Sequence, residues 1–189
     1  MPVPKPNYLS YGVLAAIGEG GASTTELVDM LARGQMFFTS SPSQVYAEPK
    51  RLLALGWVTR EKAPGKTRNR TVYKLTEAGR EALREHLREP AGFPRLQHAA
   101  ARRLFAGDMI TDAEILTSLE RLRTDIRELS ATIAANEARI SRFPDRARYA
   151  RLLHSLGRRL LEAHSDWLDE VERELDPRRD TIRRRSGRT

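Results

Sequence analysis

Apolar residues recur every three to four positions over most of this chain, and strand-like alternation is confined to one short region. Leu9, Val13, Leu14 and Ile17 fall on one helical face that Gly18 closes. Ser23-Thr24-Thr25-Glu26 has the spacing of a capping box, and it launches a helix with Leu27, Met30 and Leu31 inward, ending near Gly34. Gly18, Gly20 and Gly21 follow no strand and lack phosphate-loop spacing, so they read as a turn. Phe37 and Phe38 sit in an apolar linker and are expected to pack beneath the domain. A further capping box, Ser41 with Gln44 and proline at the first helical position, opens a helix carrying Val45, Leu52, Leu53 and Leu55. Gly56 ends it, Trp57 to Lys62 alternates as a strand, Ala63-Pro64-Gly65 breaks that strand, and Thr71 to Leu75 forms a second. Helix, strand, basic loop, strand is the order of a winged helix-turn-helix with a small two-stranded wing. Thr76 caps a following helix that runs to Glu89.

Pro90, Gly92 and Pro94 mark a domain boundary, giving a winged domain over residues 1–90 and a helical domain over 91–177. After a short helix from Ala99 to Phe105, a capping box of Thr111 and Glu114 opens the longest regular pattern in the chain. Ile115, Leu119, Leu122, Ile126, Leu129, Ile133, Asn136, Ile140 and Phe143 step by threes and fours, a coiled-coil seam of about four heptads. Leu119, Ile126, Ile133 and Ile140 take the a positions; Leu122, Leu129 and Asn136 take d. Pro144 and Asp145 interrupt, and a second helix to about Leu175 offers Tyr149, Leu152, Leu156, Leu160, Trp167 and Val171 for packing. The fold class is mainly α: a winged domain followed by an antiparallel helical hairpin. One hairpin cannot bury all of its own stripes, so a two-fold homodimer through Leu119, Leu122, Ile126, Leu129, Ile133 and Ile140 is expected.

Charge sharpens this picture more by its distribution than by its sum of +8. Residues 1–90 carry 13 basic and 9 acidic side chains, residues 91–177 carry 14 and 15, and the last twelve carry 6 and 1. The final segment, 178–189, reads as a basic disordered tail adding non-specific phosphate contacts, and Pro2, Pro4 and Pro6 as an extended arm. Between Lys50 and Lys74 there are eight Lys or Arg against one acid, Glu61. Such density on this motif points to double-stranded DNA, because closely spaced cations release phosphate counterions. Ser41, Ser43, Gln44, Tyr46, Lys50 and Arg51 on the helix, with Lys66, Arg68, Asn69 and Arg70 on the wing, form the expected DNA face. Base reading is assigned to Ser43 and Gln44 at the helix start.

Absences narrow the field. There is no cysteine, so disulfides and thiolate chemistry are excluded. No apolar run approaches the roughly 20 residues of a membrane span, and no secretory signal opens the chain; a cytoplasmic protein without membrane contact is expected. His86, His98, His154 and His164 lack metal-ligand spacing, no Ser-His-Asp set emerges, and no motif asks for a cofactor. An enzyme is therefore not expected. RNA binding lacks the aromatic-bearing sheet that stacks single strands. A winged-helix protein-interaction module remains the alternative, though it would not need the basic wing.

Val45-Tyr46-Ala47-Glu48-Pro49-Lys50-Arg51-Leu52, Gly56-Trp57-Val58 and Tyr73-Lys74-Leu75-Thr76-Glu77-Ala78-Gly79-Arg80 together resemble PadR-family transcriptional regulators. The resemblance spans roughly residues 8–90, and the helical remainder is similar to the virulence-activator branch. It implies a homodimeric regulator, with repression the expected sign, that binds a pseudo-palindromic operator and answers to a small hydrophobic effector. Trp167 is the effector candidate. Two departures from the family pattern stand out. Thr24-Thr25-Glu26-Leu27 replaces Gly-Tyr-Glu-Leu, and proline sits at Pro49, two residues later than usual. The second predicts a kink between Val45 and Pro49, with Glu48 near phosphate tightening selectivity by repulsion.

Overall fold

The computed structural model describes residues 5–38, 40–64, 70–140 and 144–176. The proline arm at Pro2 and Pro4, the wing tip with Lys66, Arg68 and Asn69, Phe143, and the basic tail lie outside the described residues. The chain divides into two compact units, Met1–Phe93 and Pro94–Thr189.

In the first unit, α1 (Tyr8–Ile17) is capped by Asn7 and Ser10 in a reciprocal box. Strand β1 (Ala22–Ser23) leads into α2 (Thr24–Arg33), whose box pairs Ser23 with Glu26 as its spacing predicts. Helix α3 (Pro42–Ala54) follows, then β2 (Val58–Ala63), β3 (Arg70–Leu75) and α4 (Glu77–Arg88). The sheet has three antiparallel strands in the order β1-β3-β2, with Ala22 opposite Tyr73 and Val58 opposite Leu75. β1 is the strand that a two-stranded reading of the wing omits. At two residues it is too short to show a period. Val13, Leu14, Leu27 and Leu52 are completely buried, with Ile17, Val45, Val58 and Leu75 around them. This core joins α1, α2 and α3 to the sheet. Phe38 covers the edges of Gly12 and Gly34 yet stays 40 % exposed, and Phe37 is half-buried, so the linker packs less deeply than its composition suggests.

The junction of wing and α4 shows why certain residues stand where they do. Gly56 turns the chain at φ 70°, a left-handed conformation suited to glycine. Thr76 donates its hydroxyl to the Gly56 carbonyl (2.7 Å) and accepts from the Gly79 N–H (3.1 Å), while its own N–H bonds the Trp57 carbonyl (3.1 Å). A side chain at Gly79 would place its Cβ 2.0 Å from that carbonyl oxygen, so only glycine fits.

In the second unit, α5 (Ala99–Phe105) and a 3-10 turn (Gly107–Met109) precede α6 (Asp112–Glu137) and α7 (Pro144–Glu174). Thr111 and Glu114 cap α6 with the expected box. Arg158 midway along α7 pairs with Glu137 at the end of α6, and Arg123 earlier in α6 reaches Asp169 (3.0 Å) and Glu172 (2.6 Å) late in α7. Those pairs make the hairpin antiparallel. Because α6 ends at Glu137, Ile140 lies beyond it and the seam within the helix is about one heptad shorter than the sequence pattern.

Candidate nucleic-acid interface

Helix α3 is built to present its first turn. Ser41 N–H donates to Gln44 Oε1 (2.9 Å) and Gln44 N–H to Ser41 Oγ (3.3 Å), while Ser41 and Ser43 share a hydroxyl contact (2.9 Å). The cap engages the Gln44 carbonyl and leaves its amide donors to face outward. Val45, Glu48, Pro49 and Leu52 form the buried side, so Ser43, Gln44, Tyr46, Ala47 and Lys50 lie on the exposed side. α3 continues as one helix through Pro49, whose ring is fully buried. Proline cannot supply the helical N–H to the Val45 carbonyl, the place where the sequence predicts a kink, and the helix runs on past it to Ala54.

Three sequence-predicted residues, Glu48, Arg51 and Arg70, engage the protein itself. Glu48 does not face outward to repel phosphate. It is buried, accepts a hydrogen bond from Ser10 Oγ (2.6 Å), and lies 3.7 Å from the Arg51 guanidinium. Arg51 therefore leans inward, and its Nε is buried with no acceptor among the described residues. Arg70, at the root of the wing, donates to Glu26 Oε1 (2.6 Å). The Ser23 N–H and hydroxyl, with Arg70 adding to them, hold the Glu26 carboxyl below its ordinary value. Arg70 thus ties the wing to the start of α2.

Lys74 likewise pairs with Glu61 across the strands (2.7 Å). Lys50, Arg60 and Lys62 are exposed and have no carboxylate partner among the described residues. Arg60 and Lys62 on β2 were not singled out in sequence, although the period of the strand places both beyond Val58 on one face. The described cationic surface accordingly comprises Lys50 on α3 and Arg60 and Lys62 on the wing, beside the polar start of α3.

The helical unit separates its seam into two kinds of position. Leu119, Ile126 and Ile133 are buried within the chain against α7, whose Leu161, Leu168 and Val171 are buried too. Leu122, Leu129 and Ile140 are half-buried. An open groove of about 350 Å³ runs between the helices over Ile126, Ile133, Ala134 and Leu161. Early α7 leaves Tyr149, Leu152 and Leu156 substantially exposed.

Trp167 is half-buried, with its ring edge-on to His98 (5.6 Å between centroids). His98 stacks on His164 (5.1 Å), a pair separated by 66 positions that sequence spacing could not reveal. Burial, and secondarily the neighbouring His164, hold His98 below the ordinary histidine value. That suits its Nδ1, which accepts the Ala101 N–H as the cap of α5 (3.0 Å). Beside this cluster lies an open cavity of about 360 Å³ lined by His98, Arg103, Leu119, Arg121, Leu122 and His164. Among the described residues no group of His, Asp or Glu could hold a metal, and no helix is long and apolar enough to cross a membrane.

Residues 13–85 match the model of the transcriptional regulator PadR-like family, and residues 97–176 match that of the virulence activator α C-terminal region. The chain thus carries a PadR-like transcriptional-regulator domain followed by a virulence-activator C-terminal domain. Its structure is similar to that of Bacillus subtilis PadR in complex with operator DNA, with a TM-score of 0.74 at 18 % identity over 90 % of this chain and 100 % of that one. The same Bacillus protein in complex with p-coumaric acid gives 0.69 at 18 %, covering 90 % and 99 %. The Vibrio cholerae virulence activator AphA gives 0.69 at 25 %, covering 89 % and 98 %. No curated protein sequence matches the chain. The PadR-like match falls on the winged unit and the virulence-activator match on the hairpin, so the chain combines the two.

Proposed function

We propose that this PadR-like regulator binds a pseudo-palindromic operator as a homodimer, each copy laying α3 in the major groove and its wing along the backbone. The observation that carries the proposal is the division of α3. One side is closed into the core through Val45 and Leu52, and the other offers Ser43, Gln44, Tyr46 and Lys50 to a groove. Lys66, Arg68 and Asn69, in the sequence between β2 and β3, supply wing contacts to the backbone, and the basic tail adds phosphate affinity without sequence preference. The dimer forms through the hairpin: Tyr149, Leu152 and Leu156 of each copy cover the α6–α7 groove of the other, and the half-buried Leu122 and Leu129 add to the interface. Winged unit, hairpin and tail act as separate domains with boundaries near residues 90 and 177.

Repression follows by occupancy of the promoter, in the cytoplasm, without catalysis. A flat hydrophobic effector binds beside Trp167 in the cavity lined by Leu119 and Leu122; the Bacillus regulator is found in complex with p-coumaric acid, a compound of that kind. The test is selection of bound duplexes from a randomised pool, followed by binding of the selected and scrambled duplexes across a salt series. Emergence of a two-fold symmetric sequence supports the reading. Equal, weak binding to every duplex contradicts it and favours the protein-interaction alternative. Repression is checked separately with the selected site placed in a reporter promoter.

A further inference from the structure

The inward turn of Arg51 has a structural cause. Glu48 sits in the middle of α3 with 5 % of its surface exposed, an unusual place for a carboxylate. Its Oε1 accepts the hydroxyl of Ser10, a residue of the first turn of α1 that is itself completely buried and receives the Asn7 N–H. Oε2 faces Arg51 at 3.7 Å. The positive end of the α1 dipole favours a negative charge there. One buried carboxylate thus fastens α3 to α1 with one oxygen and holds a cation with the other.

We propose that Glu48 is a specificity-determining positioning residue: it withholds Arg51 from the DNA backbone, so that affinity depends more on the base-reading start of α3 than on indiscriminate phosphate contact. Arg51 lies one helical turn beyond Ala47 and next to Lys50, at the margin of the exposed face, close enough to reach a phosphate once released. A phosphate does not take it while Glu48 is charged, because departure of the guanidinium would strand a buried carboxylate. The proposal rests on the reading of α3 as the DNA-reading helix.

The experiment uses the full chain and a duplex selected by the wild-type protein, against a scrambled duplex of equal composition, each across a salt series. Glu48→Gln keeps the shape and an acceptor for Ser10 but removes the charge that holds Arg51. It should steepen the logarithmic salt slope by about one per subunit and strengthen scrambled-duplex binding roughly fivefold to tenfold, narrowing the preference for the selected duplex. Arg51→Ala alone should leave the slope unchanged, and adding it to Glu48→Gln should restore the wild-type slope. A merely structural role for Glu48 would not be reversed by removing Arg51. Should Arg51→Ala alone flatten the slope by about one per subunit, Arg51 already touches phosphate and the proposal is wrong. That variant lies at the helix margin and decides the matter even if Glu48→Gln unfolds. A folded Glu48→Gln protein with unchanged slope and preference overturns the proposal alone. Absence of any sequence preference in the wild type overturns the DNA-reading role of α3, and the proposal with it.

Discussion

The winged unit and the hairpin unit use the same local devices and reach opposite degrees of closure. Each opens a principal helix with a capping box, Ser23 with Glu26 in one and Thr111 with Glu114 in the other. The winged unit then buries Val13, Leu14, Leu27 and Leu52 completely, with a sheet and four helices sharing the core. The hairpin unit buries a single row between two helices and leaves Tyr149, Leu152 and Leu156 in the open. Three layers meeting at one point can close on themselves, whereas two helices have only one mutual face. The first unit closes on itself, and the second leaves an apolar face open, the face the proposed homodimer would cover.

Substitutions should separate the two units by size of effect. Leu52→Ala or Leu27→Ala empties a fully enclosed site and should destabilise the winged unit by about 2–5 kcal/mol, read by urea unfolding. Next in size, Gly79→Ala forces its methyl into the Trp57 carbonyl and should cost about 1–3 kcal/mol, because backbone rather than a side-chain tip must yield. In the hairpin, Leu152→Asp with Leu156→Asp should leave helix content by circular dichroism intact yet halve the molar mass by light scattering. Retained dimers would place the partner on another face. The smallest effect concerns acid. Glu26 and Glu114 are both held below the ordinary carboxylate value, chiefly by the backbone N–H at their own helix start. Each therefore contributes stability above the unfolded value and loses it as pH falls through the lower folded value. Glu26→Gln and Glu114→Gln should each flatten the decline in stability between about pH 5 and about pH 3, with little change near neutrality.

Local signals were legible in the residues and distant pairings were not. Ser41, Ser23 and Thr111 announce their helices because a cap and its partner lie three positions apart. The charge count between Lys50 and Lys74 finds a single acid, yet folding brings Glu48 to Arg51 and Glu26 to Arg70 from outside that window. The basic surface is consequently sparser than the sequence implies. Glu48 is the sharpest example, because its reason for being buried is Ser10, 38 positions earlier. The seam of α6 was visible as a period, but a period does not say which partner covers it. The structure commits Leu119, Ile126 and Ile133 to the chain's own α7.

The central claim is that two complete reading heads are brought together by two incomplete hairpins, and footprinting on the selected duplex tests it most directly. Hydroxyl-radical and guanine-methylation protection should show two symmetric major-groove patches about one helical turn apart, or a whole multiple of it. Both patches should fade together in the Leu152→Asp, Leu156→Asp protein. A single patch, or protection that survives intact in that monomeric variant, would contradict the account.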